Sequence, residues 1–148
     1  MIRYATMNDL DACVSLCVEF FSKFLGNNGV PIVEDDVKLV AIQAITSNQL
    51  LVVEHDKKVE GITAWACIPH PANHSYKIFY ETIWCVKSKY KTDTLLLFRA
   101  LEREAIKVGA NLILMANLAN DTEAQLRRIF LKRGFNFLET HYGKIIGG

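Results

Sequence analysis

Glu81 is the residue whose surroundings make it most capable of chemistry. It is a carboxylate flanked by Ile78, Phe79, Tyr80, Ile83 and Trp84. Burial among such neighbours disfavours the charged form and should raise the pKa toward the range useful for taking a proton. The competing reading is a glutamate on the solvent face of an alternating strand. Lysines follow at positions 87, 89 and 91, just ahead of an expected helix. The N–H groups that open a helix have no intrahelical partner, and the helix dipole favours an anion there. Residues Lys91, Thr92, Asp93, Thr94, Leu95 and Leu96 therefore form a candidate anion site, with lysine as a point charge for phosphate. Asp93 would compete for the same donors, so a capped helix beside a solvated lysine loop is the plainer alternative. His70 and His74 have a spacing that binds metal on a helix, but Pro71 argues against a helix and no third ligand is near. No metal is expected. Cys13, Cys17, Cys67 and Cys85 form no Cys-x-x-Cys pair and read as thiols of a reducing compartment. Cys85 has no local histidine of motif quality, which favours a buried strand cysteine over a nucleophile.

These residues need a scaffold, and the periodicity of the chain supplies one. Ile2 to Ala5 alternates as a short strand, and Thr6 with Asp9 forms a capping-box signature. Leu10, Cys13, Val14, Cys17, Phe20, Phe21 and Phe24 recur at helical spacing. The stretch from Gly26 to Pro31 breaks that helix, and a second is expected near Glu34 to Ser47. Leu50 to Glu54 and Val59 to Ile68 read as an antiparallel hairpin turning at Asp56-Lys57-Lys58. His70 to Ser75 reads as a loop and Lys77 to Val86 as a strand. A helix is expected over Thr94 to Val108, stopped by Gly109, then a buried strand over Leu112 to Met115. A last helix from about Asp121 to Arg133 ends at Gly134, and Phe135 to Ile146 suggests one or two closing strands. The strand-helix-strand after Lys77 predicts two parallel neighbours.

The chain has 148 residues, a net charge of +1, 51 % hydrophobic and 22 % charged residues. That is the size of one domain, and no linker or repeat divides it, so a single domain over 1–148 is expected. The charge balance lacks the basic excess of a general nucleic-acid binder. No 18-residue apolar run or leader-like segment is seen, which predicts a cytoplasmic protein with no membrane partner.

The element order, the stretch from Glu81 to Ala110 and the ending Phe130-Leu131-Lys132-Arg133-Gly134-Phe135 resemble the GNAT superfamily of acyl-CoA-dependent N-acyltransferases. Gly61 sits early in the third strand, and Val86 is followed five residues later by the basic Lys91. The resemblance implies an α/β fold: a mixed, mostly antiparallel central sheet with a parallel β-α-β pair at the cofactor site and about four helices. It implies an N-acetyltransferase with acetyl-CoA as co-substrate and a small-molecule or peptide amine as acceptor, a homodimer being left open. The pantetheine arm would pair with backbone near Trp84, Cys85 and Val86, and the pyrophosphate would lie on Lys91 to Leu96. Glu81 would be the general base. The family pattern Arg/Gln-x-x-Gly-x-Gly/Ala is here Lys91-Thr92-Asp93-Thr94-Leu95-Leu96, without glycine. Phe130 stands where a proton-donating tyrosine is frequent, which leaves Tyr142, or solvent, as acid for the leaving thiolate. Two rival readings follow from these departures: a non-catalytic member acting by acyl-CoA binding or protein contacts, and an unrelated α/β anion-binding module.

Overall fold

A computed structural model describes residues 1–24, 29–87, 91–118 and 123–146, the side chain of Lys91 excepted. The expected helix break at 26–28, the loop at 88–90 and the start of the last helix at 121–122 lie outside the described residues. The chain divides into two units, Met1–Leu114 and Met115–Gly148. The first contains five strands in the order β1-β2-β3-β4-β5: β1 (Ile2–Tyr4), β2 (Leu50–His55), β3 (Lys58–His70), β4 (Asn73–Val86) and β5 (Leu112–Leu114). The first four pair antiparallel, and β4 pairs parallel with β5, as the β-α-β order predicts. Helices α1 (Leu10–Phe24), α2 (Glu34–Thr46) and α3 (Lys91–Lys107) complete this unit.

Both faces of the sheet are covered. Cys13, Val14 and Cys17 of α1 and Ala41 and Ile45 of α2 pack on Leu50, Val52, Ile62, Ala64 and Ile83. On the other face α3 buries Leu97, Phe98, Leu101 and Ala105. That explains why Leu50 to Val53 is buried without alternation: a strand sandwiched by helices has no wet side. The start of α1 is tied to the sheet through Asp9. Its carboxylate accepts Thr6 N–H at 2.8 Å and the Arg3 guanidinium at 2.8 and 2.9 Å, while Arg3 also reaches Glu54 on β2. The Arg3 cation, more than the backbone donor, holds the Asp9 carboxyl well below the usual carboxylate range.

The connections show where local chemistry decided. The β2–β3 turn is Asp56-Lys57, with φ of 49° and 62°, the signs a type I′ hairpin turn requires. The expected loop over His70 to Ser75 is instead a tight turn at Pro71-Ala72, with His70 opposite Asn73. The polar composition misled because this end of the ribbon is exposed on both faces. Its bonds are local: His70 Nδ1 accepts Ala72 N–H at 3.1 Å, and Asn73 Oδ1 accepts the Ser75 hydroxyl at 2.7 Å. Helix α3 starts at Lys91 rather than Thr94, which places Asp93 inside its first turn. It ends where Gly109, at φ 69°, turns the chain, with Ala110 N–H bonded to Ala105 O at 2.9 Å.

The second unit holds α4 (Glu123–Lys132). It closes with Gly134 at φ 84°, Phe135 N–H bonding to Phe130 O at 3.0 Å, and the two rings 5.6 Å apart. This is a Schellman ending with its apolar contact, so Phe130 serves packing. The closing strands expected from Phe135 to Ile146 do not form among the described residues. The aromatic and β-branched residues there suggested a strand, but Phe137, Leu138 and Ile146 are exposed, and no ladder forms to give the segment a buried face. Among the described residues no helix is long and apolar enough to cross a membrane.

Candidate active site

Strand β4 is irregular where Glu81 sits. Ala64 faces Ile83 but Trp65 faces Glu81, so Thr82 is an extra residue with no opposite number. Such a bulge resets the alternation of side chains. Ile83 and Cys85 therefore lie toward α1, whereas Glu81 and Trp84 both share the α3 side with Trp65 and Phe79. Trp65 and Phe79 stack at 5.3 Å, and Trp84 lies 5.6 Å from Phe98 of α3. Glu81 is 7 % exposed, so the solvent-face reading of this residue does not hold. The parallel pairing with β5 runs only from Ile78↔Leu112 to Tyr80↔Leu114. The pairing with β5 thus stops one residue before Glu81, and Glu81 to Val86 continue β4 beyond it, paired with β3.

The end of β4 is held tightly against β3. A Cβ on Gly61 would lie 2.9 Å from Val86 Cγ2 and 3.0 Å from the Cys85 carbonyl oxygen, so glycine sets this approach. A second bulge adjoins it: Val53 faces Gly61 and Glu54 faces Val59, which leaves Glu60 as the extra residue. Glu60 is buried and pairs with Lys87 Nζ at 2.7 Å, and Lys87 N–H bonds back to Glu60 O at 2.9 Å. The charge of Lys87, expected to face phosphate, is thus balanced by Glu60.

Beyond Val86 the chain enters α3. Thr92 is exposed, Thr94 partly buried, and Leu95 and Leu96 are exposed at the surface of the first turns. Lys91 opens the helix. Asp93 is 8 % exposed, and its Oδ2 lies 2.6 Å from Nε2 of His55, the last residue of β2. His55 was not among the residues singled out by sequence. The pair spans 38 positions, and only the hairpin register brings the end of β2 beside α3. Cys85 is largely buried and desolvation pushes its thiol up to about 12, which removes it as a nucleophile. Tyr142 belongs to the second unit, where its side chain is exposed.

No family model matches the sequence, and no curated protein matches it significantly. Solved structures do. A predicted acetyltransferase with acetyl-CoA from Clostridium acetobutylicum is 18 % identical, with a TM-score of 0.73 over 98 % of this chain and 95 % of its own. A possible acetyltransferase from Clostridium difficile is 14 % identical, with a TM-score of 0.74 over 99 % and 97 %. The aminoglycoside N-acetyltransferase AAC(6')-Iy in complex with CoA is 12 % identical, with a TM-score of 0.73 over 100 % and 95 %. The chain has the fold of the GNAT acyltransferases, a mixed sheet whose parallel β4–β5 pair is joined through α3.

Proposed function

We propose that this protein is an N-acetyltransferase that moves an acetyl group from acetyl-CoA to an amine. The observation that carries the reading is that the parallel β4–β5 pairing ends at Tyr80↔Leu114 while β4 continues from Glu81 to Val86 ahead of the first turn of α3. A strand edge suits a pantetheine arm, whose amides add strand-like bonds, and a helix start suits a diphosphate. The residues present fit that pair of demands. Backbone at Trp84, Cys85 and Val86 would hold the arm, and Lys91 to Leu96 would hold the diphosphate, with Asp93 engaged by His55. Acetyl-CoA supplies an activated thioester.

The chain must remove a proton from the amine and provide one to the thiolate. Glu81 is our base: it is buried just past the end of the β4–β5 pairing, and a positioned base contributes about 10²–10⁴-fold in rate. The new N–C bond forms as the C–S bond breaks, the amine proton passes to Glu81 directly or through water, and the thiolate takes a proton from Tyr142 or solvent. The acceptor is a small-molecule or peptide amine. The glycine-free first turn of α3 favours a second reading, a GNAT-fold protein that binds acyl-CoA without turnover.

Calorimetry with CoA, then an acetyl-CoA consumption screen over amines, tests the proposal. Wild type is expected to bind, more weakly in Lys91→Ala and at higher salt. Glu81→Gln is expected to keep CoA affinity and to lose at least about 10²-fold in kcat. No binding at millimolar CoA rejects both readings. Binding without turnover on any amine favours the second, and wild-type kcat in Glu81→Gln across pH 6–9 removes Glu81 from the mechanism. Tyr142→Phe with unchanged kcat assigns the second proton to solvent.

A further inference from the structure

A carboxylate in the first turn of α3 is an obstacle to any anion there, because it repels the ligand and competes for the same N–H groups. Asp93 is such a carboxylate, and it is nearly buried, so solvent does little to weaken its field. The structure shows a specific device opposite it. The β2–β3 hairpin turns at Asp56-Lys57 with both residues in the left-handed region, and it closes with His55 opposite Lys58. Leu51, Val53 and His55 alternate onto the α3 side of the sheet, since Leu50 and Val52 belong to the opposite core. His55 thereby meets Asp93 at 2.6 Å. A carboxylate accepts hydrogen bonds, so the hydrogen of this contact sits on Nε2.

We propose that His55 is a positioning residue for the cofactor diphosphate: by holding the Asp93 carboxylate, it leaves the first-turn N–H groups of α3 available to phosphate. The inference rests on the acetyl-CoA reading above and deepens it. It assigns a role to a residue on β2 and accounts for an aspartate in a phosphate-binding turn. It also makes the effect of His55 conditional on Asp93, which a simple strut or a direct phosphate ligand would not be.

Four variants test this by calorimetric Kd for CoA, with thermal melts alongside. His55→Ala is expected to weaken CoA binding roughly fivefold, the scale of a charge at a helix terminus. His55→Gln, which keeps an N–H donor, is expected to bind CoA more tightly than His55→Ala, and Asp93→Asn, which removes the repelling charge, more tightly than wild type. The double variant His55→Ala/Asp93→Asn is expected to recover most of the loss, because the charge that His55 manages is gone. Unchanged Kd in His55→Ala overturns the inference while the acetyl-CoA reading stands. A double variant as weak as His55→Ala also overturns it and makes His55 a direct ligand or a structural strut. Wild type that fails to bind CoA overturns the acetyl-CoA reading and this inference with it.

Discussion

Replacing Gly61 by alanine probes the contact that places the end of β4. The new methyl would sit 2.9 Å from Val86 Cγ2, 3.0 Å from the Cys85 carbonyl oxygen and 3.2 Å from Val86 Cα. Non-bonded carbons are comfortable at about 3.5–4.0 Å, so β3 and β4 would have to part by roughly half an ångström here. Overpacking of this kind costs about 1–3 kcal/mol. Alanine also restricts the unfolded chain, which favours folding by about 0.4–1 kcal/mol. The steric cost should win, because two of the three contacts are with backbone, which no rotamer change can relieve. A net loss of about 1 kcal/mol is expected, or a fall in Tm of about 2–4 °C for a chain of this size. Val86→Ala in the same background removes only the Cγ2 contact, and should rescue the loss in part. CoA affinity should fall as well, since parting β3 from β4 shifts the Val86 backbone proposed for pantetheine. Thermal denaturation and calorimetry read both effects. A Gly61→Ala protein as stable as wild type would refute the argument that glycine sets this approach. Full rescue by Val86→Ala would place the whole cost on one methyl.

Two further outcomes follow from the titrating groups. Asp9 is held below its ordinary pKa by Arg3, so its contribution to stability is present above the unfolded value near 4 and is lost as pH falls through the folded value. Denaturant melts should therefore show wild type more stable than Asp9→Asn by about 1–2 kcal/mol at pH 7, with the gap closing below about pH 4; a gap independent of pH would contradict the Arg3–Asp9 pairing. Burial pushes the thiols of Cys13, Cys17 and Cys85 up to about 12, 11 and 12, while Cys67 is exposed on β3. At pH 8 a thiol reagent should label Cys67 alone in the native protein and all four cysteines in denaturant; rapid native labelling of Cys85 would mean that the core beside α1 is open.

What the sequence disclosed and what it hid divide along a physical line. Helices α1, α2 and α3 and the hairpin of β2 and β3 were legible because each has one dominant period, and amphipathic spacing is a local property. The parallel pairing of β4 with β5 was legible from order alone, since a short β-α-β leaves few alternatives. The candidate residues Glu81 and Trp84 to Val86 could be named from sequence, but their geometry was hidden because it is built from departures from period. The extra residue Thr82 puts Glu81 and Trp84 on one side of the sheet, three positions apart, where strict alternation would separate them. The extra residue Glu60 accompanies the Lys87 pairing that takes one expected cation from the phosphate. Neither bulge has a signature in residue type, because a threonine and a glutamate are ordinary strand residues. His55 was invisible for a related reason: its partner is set by hairpin register, and register is a property of two strands together. The apolar residues from Phe135 to Ile146 failed in the opposite way, since strand-like composition without a ladder to join gave no strand among the described residues. The candidate site therefore rests on two insertions, Thr82 in β4 and Glu60 in β3, that break strand alternation, and mutations that restore regular alternation at either should matter more than changes to any one side chain on these strands.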